Sequence, residues 1–331
     1  MRVAIVVVLV GCTSSPGSMT KEQLGKLAFE DPGLSTPAGQ ACADCHAAKA
    51  AFRDPESDFS TSRGVIPTRF GSRNAPTALY ARYIPPRTSD AAGSHGGLFW
   101  DGRANSLEEQ ALGPLLNPLE MNNPDRAAIL ANLRAASYAP AFRAVFGGAA
   151  LDDPDTAVAH LTEAIAAYER SDELAPFTSK YDAYMAGTEA LTDSEQRGLG
   201  LFEAHCASCH PPPLFTDFSY ANLGIPKYAN NRFLQQPPDL NPAGTAFVDH
   251  GLADGKFRTP TLRNVVRTGP FGHNGYFENV PYMLEFLNTR DVGTWAPPEV
   301  ATGIDRSVGN LGLTSADVDD LYAFLTTLSD R

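Results

Sequence analysis

The chain has 331 residues, enough for two domains of ordinary size. With 43% hydrophobic and 19% charged residues it has a globular composition, and its 26 prolines and 28 glycines point to long ordered loops. The formal charge of −12 leaves no basic stripe for phosphate, which excludes nucleic acid and favours a small or basic partner over an acidic membrane surface.

In chain order, Arg2 and the apolar run from Val3 to Val10 lead to Gly11-Cys12. This pattern reads as a lipoprotein-type export signal, cleaved before Cys12 with acylation of that cysteine, so residues 1–18 form signal and tether. No other apolar run approaches the roughly 20 residues that span a bilayer, so the membrane is expected to be met only through this N-terminal lipid tether. Thr20-Lys21-Glu22-Gln23 is a capping box that opens a helix over 20–30, and Cys42-Ala43-Asp44-Cys45-His46 follows. After a Pro/Gly/Asn-rich loop over 50–100, apolar spacing predicts helices at 106–112, 125–136 and 155–170. A second capping box, Thr192-Asp193-Ser194-Glu195, opens a helix over 192–205, and Cys206-Ala207-Ser208-Cys209-His210 follows it. One unit is thus used twice. Beyond a second long loop over 211–260 come helices at 281–288 and 315–328. The last carries Val318, Leu321, Tyr322, Phe324, Leu325 and Leu328 on a broad apolar face behind a Thr314-x-x-Asp317 cap.

Four of the five cysteines fall in the two C-x-x-C-H motifs. Two cysteines on one turn form thioethers to the haem vinyl groups, and the adjacent histidine supplies an axial nitrogen to iron. Zinc is the competing reading of C-x-x-C, but it would need the two pairs to converge and gives no reason for a histidine after each. The motifs therefore predict two covalent c-type haems on Cys42, Cys45 and His46 and on Cys206, Cys209 and His210, and hence export to the periplasm. The fold class that follows is mainly α, with two cytochrome c-like haem domains and long Pro/Gly-rich loops. Their expected spans are 19–185 and 186–331, divided around Ala186-Gly187-Thr188.

Further motifs appear in a fixed order. Arg73-Asn74-Ala75-Pro76-Thr77 is followed by Phe99-Trp100-Asp101-Gly102-Arg103, then Gln110, Gly113-Pro114 and Asn117-Pro118-Leu119-Glu120-Met121. Phe257-Arg258-Thr259-Pro260-Thr261-Leu262-Arg263-Asn264 and His273-Asn274-Gly275 complete the set. Over about residues 20–330 the chain resembles the di-haem bacterial cytochrome c peroxidase and MauG family. The resemblance implies that the first haem meets hydrogen peroxide and the second transfers electrons, with Trp100 between them. It makes Glu120 the distal acid/base and places Gln110 and Pro114 in the distal pocket. It also implies a calcium ion between the domains, held by the Asn74 side chain and the carbonyls of Thr268 and Pro270, a set suited to a hard cation.

Two departures from the family pattern matter. Ala47 to Ser94 contains no histidine, so the loop ligand that closes the peroxide site in some members is missing and the first haem is expected to be open. His95 is the nearest substitute, although it lies on the far side of Asn74. The family's second axial ligand to the second haem falls on Leu287, which cannot bind iron; Met283, one helical turn earlier, is the substitute candidate, with Tyr276 and Tyr282 behind it. His160, His205 and His250 carry no clear assignment. The oxidising equivalents would be met by a small cytochrome c or cupredoxin donor, or used to oxidise Trp or Tyr of a partner protein. A non-catalytic electron carrier or haem sensor is the reading from a different class.

Overall fold

The structure is a computed structural model that describes residues 19–56, 60–91 and 93–331. Cys12 and the expected signal lie outside them. Ten helices occur among the described residues, against four short strands. All seven expected helices are present, within a few residues of their predicted ends.

Local chemistry starts the two repeated units alike. Helix α1 (Lys21–Phe29) begins where Thr20 Oγ1 accepts the Gln23 N–H at 3.1 Å and Gln23 Oε1 accepts the Thr20 N–H at 3.0 Å. A short turn, α2 (Cys42–Cys45), follows. The first half continues with α3 (Leu107–Leu116), α4 (Arg126–Ala135), α5 (Ala139–Phe146) and α6 (Pro154–Glu169). These bury Leu24, Phe29, Leu115, Ile129, Phe142 and Leu161 in one core, with Cys42 packed at its edge. α3 runs past its expected end through Pro114, and the Asn117–Met121 turn folds back through the Met121 N–H to the Pro114 carbonyl at 3.2 Å.

The second half holds α7 (Lys180–Met185), α8 (Asp193–His205), α9 (Val280–Thr289) and α10 (Ser315–Thr326). Phe202, Phe215, Leu321 and Phe324 form its core, against which Cys206 packs. Tyr181 of α7 belongs to this second core and its N–H donates to the Thr327 carbonyl at 3.0 Å. The first core therefore ends before Ser179, a few residues ahead of the boundary expected at 185/186.

Both halves rest on a close helix crossing. α1 packs on α6, where a Cβ on Gly25 would stand 1.8 Å from the Ala164 carbonyl oxygen; α8 packs on α10, where a Cβ on Gly198 would stand 1.9 Å from that of Asp320. Only glycine permits backbones so near.

The halves are joined along a seam of backbone and buried charge. Strands β1 (Thr88–Asp90) and β2 (Gly93–His95) form an antiparallel hairpin, and β3 (Tyr220–Ala221) pairs antiparallel with β4 (Phe257–Arg258) across a long loop. His95 bridges to Ser219, and the Arg258 N–H donates to the Trp100 carbonyl at 2.8 Å. Arg73 grips Asp249 through Nε and Nη2 at 2.6 and 2.8 Å and meets Asp101 at 2.8 Å. Arg263, fully buried, is bidentate to Asp182 and lies 5.0 and 4.3 Å from the rings of Tyr80 and Phe177 in the first half. No helix among the described residues is long and apolar enough to cross a membrane.

Candidate active site

The two C-x-x-C-H segments adopt the same local geometry. His46 N–H donates to the Cys42 carbonyl and His210 N–H to the Cys206 carbonyl, each at 2.9 Å, which brings both thiols and the imidazole to one side of a single turn. In the first segment Asp44 Oδ2 also accepts the Ala41 N–H at 2.7 Å and fixes the start of the turn.

The two imidazoles are held alike. His46 Nδ1 lies 3.1 Å from the Phe52 carbonyl and His210 Nδ1 lies 2.9 Å from that of Phe215. A carbonyl only accepts, so Nδ1 carries the proton and Nε2 keeps a free lone pair. Burial pulls both imidazoles below the ordinary histidine range and holds them neutral, the form a metal requires. Burial also pushes the Cys42 and Cys206 thiols up to about 12. Among the described residues no three His, Cys, Asp or Glu are grouped as a metal would demand, so the two C-x-x-C pairs do not converge on a zinc site. The donor set fits haem.

A cavity of about 270 Å³ opens beside Cys206, Cys209 and His210. Trp100 lines it, and the indole Nε1 donates to the Asn74 carbonyl at 2.8 Å. Met283 and Leu287, one turn apart on α9, both line it as well. Tyr276 and Tyr282 stay outside that lining, stacked on each other at 6.4 Å near Trp295. Asn74, Thr268 and Pro270 border the same cavity, and the Asn74 side-chain amide lies 2.5 Å from the Pro270 carbonyl oxygen. The Asn74 amide nitrogen donates to that carbonyl, so residues distant in sequence meet across the seam.

Glu120 stands beside the first segment. Its backbone carbonyl accepts the Val65 N–H at 2.9 Å; burial chiefly raises the Cys42 and Cys45 thiols, with carboxylates adding, Glu169 and Asp44 ahead of Glu120 at Cys42 and Asp54 ahead of it at Cys45. Burial pushes its carboxyl above the ordinary range, while Arg103 and the Asn117 side chain pull it back. Gln110 and Pro114 lie one turn apart on α3, the helix that leads into the Glu120 turn.

The remaining histidines go elsewhere. His95 sits on the β2–Ser219 bridge, His160 stacks on Phe146 at 4.4 Å, His205 lines the cavity of the second segment, and His250 is exposed. His273 is buried, bonded to Glu299 at 3.1 Å and stacked on Phe257 at 3.8 Å. Three features had no signal in the sequence: the Arg73–Asp249 pair, the buried Glu169 and the buried Arg258. Each depends on what the fold places around it.

A family model described as di-haem cytochrome c peroxidase matches residues 19–190. The chain belongs to the di-haem cytochrome c peroxidase family. It is 39% identical to the methylamine utilization protein MauG of Paracoccus denitrificans, across 93% of this chain and 88% of that one. It is 32% identical to the cytochrome c551 peroxidase of Nitrosomonas europaea, across 82% of this chain and 74% of that one. The crystal structure of the diheme peroxidase BthA from Burkholderia thailandensis matches with a TM-score of 0.82 and 36% identity, covering 94% of this chain and 86% of that one. As a member of this family the chain is a peroxidase-type oxidoreductase with two c-type haems.

Proposed function

We propose that Cys42, Cys45 and His46 hold the haem that reacts with hydrogen peroxide, and that Cys206, Cys209 and His210 hold the electron-transfer haem, one in each half of the chain. The first haem supplies the iron at which the O–O bond is cleaved, and the second shares the two oxidising equivalents. The observation that carries this reading is Glu120, a carboxyl with a raised pKa set beside Cys42 and Cys45.

Cleaving the O–O bond unsymmetrically requires a proton to move from the inner to the outer oxygen. A buried carboxyl with a raised pKa takes and returns that proton more readily than an ordinary surface carboxylate, a contribution of roughly 10²–10⁴-fold. Gln110 and Pro114 shape the adjoining wall. Trp100, tied by Nε1 to Asn74 and lining the cavity of the second segment, provides the aromatic bridge between the haems. Met283, which lines the cavity, would be the available soft ligand to the second haem, since Leu287 next to it has none to offer.

A calcium ion on the Asn74 side chain and the carbonyls of Thr268 and Pro270 belongs to the same reading: the three residues border one cavity, where Asn74 Nδ2 now donates to the Pro270 carbonyl and the amide would turn its oxygen to the ion. The chain is periplasmic, with a lipid tether on Cys12.

Two outlets exist for the oxidising equivalents: a small cytochrome c or cupredoxin donor, or Trp and Tyr of a partner protein. The second is the better supported. His95 is held at the Ser219 bridge, so among the described residues His46 is the one histidine set beside the first C-x-x-C pair. The 39% identity to a MauG points the same way.

Mixing the diferric protein with one equivalent of hydrogen peroxide tests this directly. Immediate reaction, followed by optical and EPR spectra, is expected. Reaction only after reduction of one haem would mean that a second ligand closes the first haem. In Glu120→Gln the rate of peroxide cleavage should fall by about 10²–10⁴-fold, and an unchanged rate would remove the proton-transfer role.

A further inference from the structure

Arg258 is a buried cation without an anion. Only 8% of the residue is exposed, its Nε has no hydrogen-bond partner, and Nη1 reaches only the Thr259 carbonyl at 3.4 Å. The other little-exposed arginines each face a carboxylate: Arg263 meets Asp182 at 2.8 Å, Arg73 meets Asp249 at 2.6 Å, and Arg290 meets Asp291 at 2.9 Å. Arg258 has no carboxylate within ion-pair reach among the described residues. Burial lowers its pKa to about 10, opposed only by Tyr220.

An unpaired buried guanidinium costs several kcal/mol, so the fold keeps one here only if a negative group arrives later. The side chain lines the cavity of Cys206, Cys209 and His210. A haem attached there brings two carboxylates of its own, and the planar guanidinium fork matches a carboxylate in two parallel hydrogen bonds.

We propose that Arg258 pairs with a carboxylate of the second haem and, through its backbone bond to Trp100, sets the distance between that haem's edge and the indole. The inference rests on the haem reading of the second C-x-x-C-H motif. It makes Arg258 a positioning residue, since it acts on electron passage through the haem and Trp100 without touching peroxide. The Arg258 N–H to Trp100 carbonyl bond, at 2.8 Å, means that any tilt of β4 moves both. The same cavity could admit a free anion such as phosphate, which shares the carboxylate's chemistry, and the two sources are separable.

The test uses the full-length holoprotein. A pyridine haemochrome assay showing two covalent haems establishes the cofactor reading first; fewer than two haems in the wild type would overturn that reading and this proposal with it, whereas two haems with an unchanged Arg258→Gln profile would overturn this proposal alone. The midpoint potential of the second haem is then measured by spectroelectrochemical titration between pH 5.5 and 9 in wild type, Arg258→Gln and Arg258→Lys. Removing the cation leaves an unneutralised carboxylate beside the iron, which favours the ferric state. The Gln variant should therefore show a lower potential at high pH, with a new fall as the freed carboxylate loses its proton. Lys should restore the wild-type profile.

Among the other titratable groups lining the cavity, Asp249 is paired with Arg73 and Glu299 with His273. Asp305 acts on Cys209 and His205 borders the same segment, so these two are controlled by substitution. Identical profiles in Gln and wild type overturn the proposal. So does a wild-type potential that tracks added phosphate, which assigns the site to a free anion. If the Gln variant fails to fold, Arg258→Lys decides alone. The carboxylate-bending band of the second haem in resonance Raman should shift, and an unmoved band overturns the pairing.

Discussion

Glu169 is a buried carboxyl that the proposed chemistry leaves unused. It closes α6 with 6% exposure, and its Oε2 has no partner. Burial raises its pKa to about 8, with Glu108 adding and Arg170 opposing. The folded state therefore holds a proton that the unfolded chain releases near 4.5. Stability from this group is fully present below the unfolded value and is lost as pH rises through the folded one. Denaturant unfolding of the wild type should show stability falling between about pH 5 and 8, by several kcal/mol at most. Glu169→Gln keeps the shape and removes the titration. That variant should be flat over the same range and more stable than wild type at pH 8.5; an equal slope in both would assign the pH dependence elsewhere.

At the scale of elements, the two glycine crossings set the shape of each half. Replacing a helical glycine by alanine ordinarily gains about 1 kcal/mol of helix propensity. At Gly198 that gain meets a backbone oxygen 1.9 Å from the new Cβ, and backbone cannot swing away as a side chain can. Overpacking of this kind costs about 1–3 kcal/mol or more, so the clash wins and Gly198→Ala should lower Tm by several degrees. Gly200, on the same helix with open space around it, is the control: Gly200→Ala should hold or raise Tm.

The helices themselves were largely legible, because their start signals are local. Thr20, Thr192 and Thr314 each accept from the residue three positions on, as their capping boxes required. α2, α5 and α7 were not, since four to eight residues carry too little periodicity to separate from loop. The chemistry of the C-x-x-C-H turns was legible for the same local reason. The burial of Arg258 and Glu169 was not, because it is decided by elements far away in sequence.

Across the whole molecule, the seam between the halves is where geometry and proposed electron flow coincide. Asn74 takes part three times: its N–H donates to the His273 carbonyl at 2.8 Å, its carbonyl accepts from Trp100 Nε1 at 2.8 Å, and its side chain meets Pro270. Arg73 next to it binds Asp249 of the second half and Asp101 beside Trp100. A calcium ion on Asn74, Thr268 and Pro270 would thus fix the residue that fixes the indole. Without it the Asn74 side chain keeps only its amide hydrogen bond to the Pro270 carbonyl. Couplings between sites of this kind are typically about 1–3 kcal/mol. After chelation, with metal loss verified by elemental analysis, the dependence of one haem's potential on the other's oxidation state should shrink by an energy of that order. The Arg73–Asp249 pair does not depend on the ion, so the halves should stay docked and unfolding should remain cooperative. Redox titrations unchanged after verified calcium loss would mean that the seam is held by Arg73 and the backbone bonds alone, and the calcium site would be withdrawn.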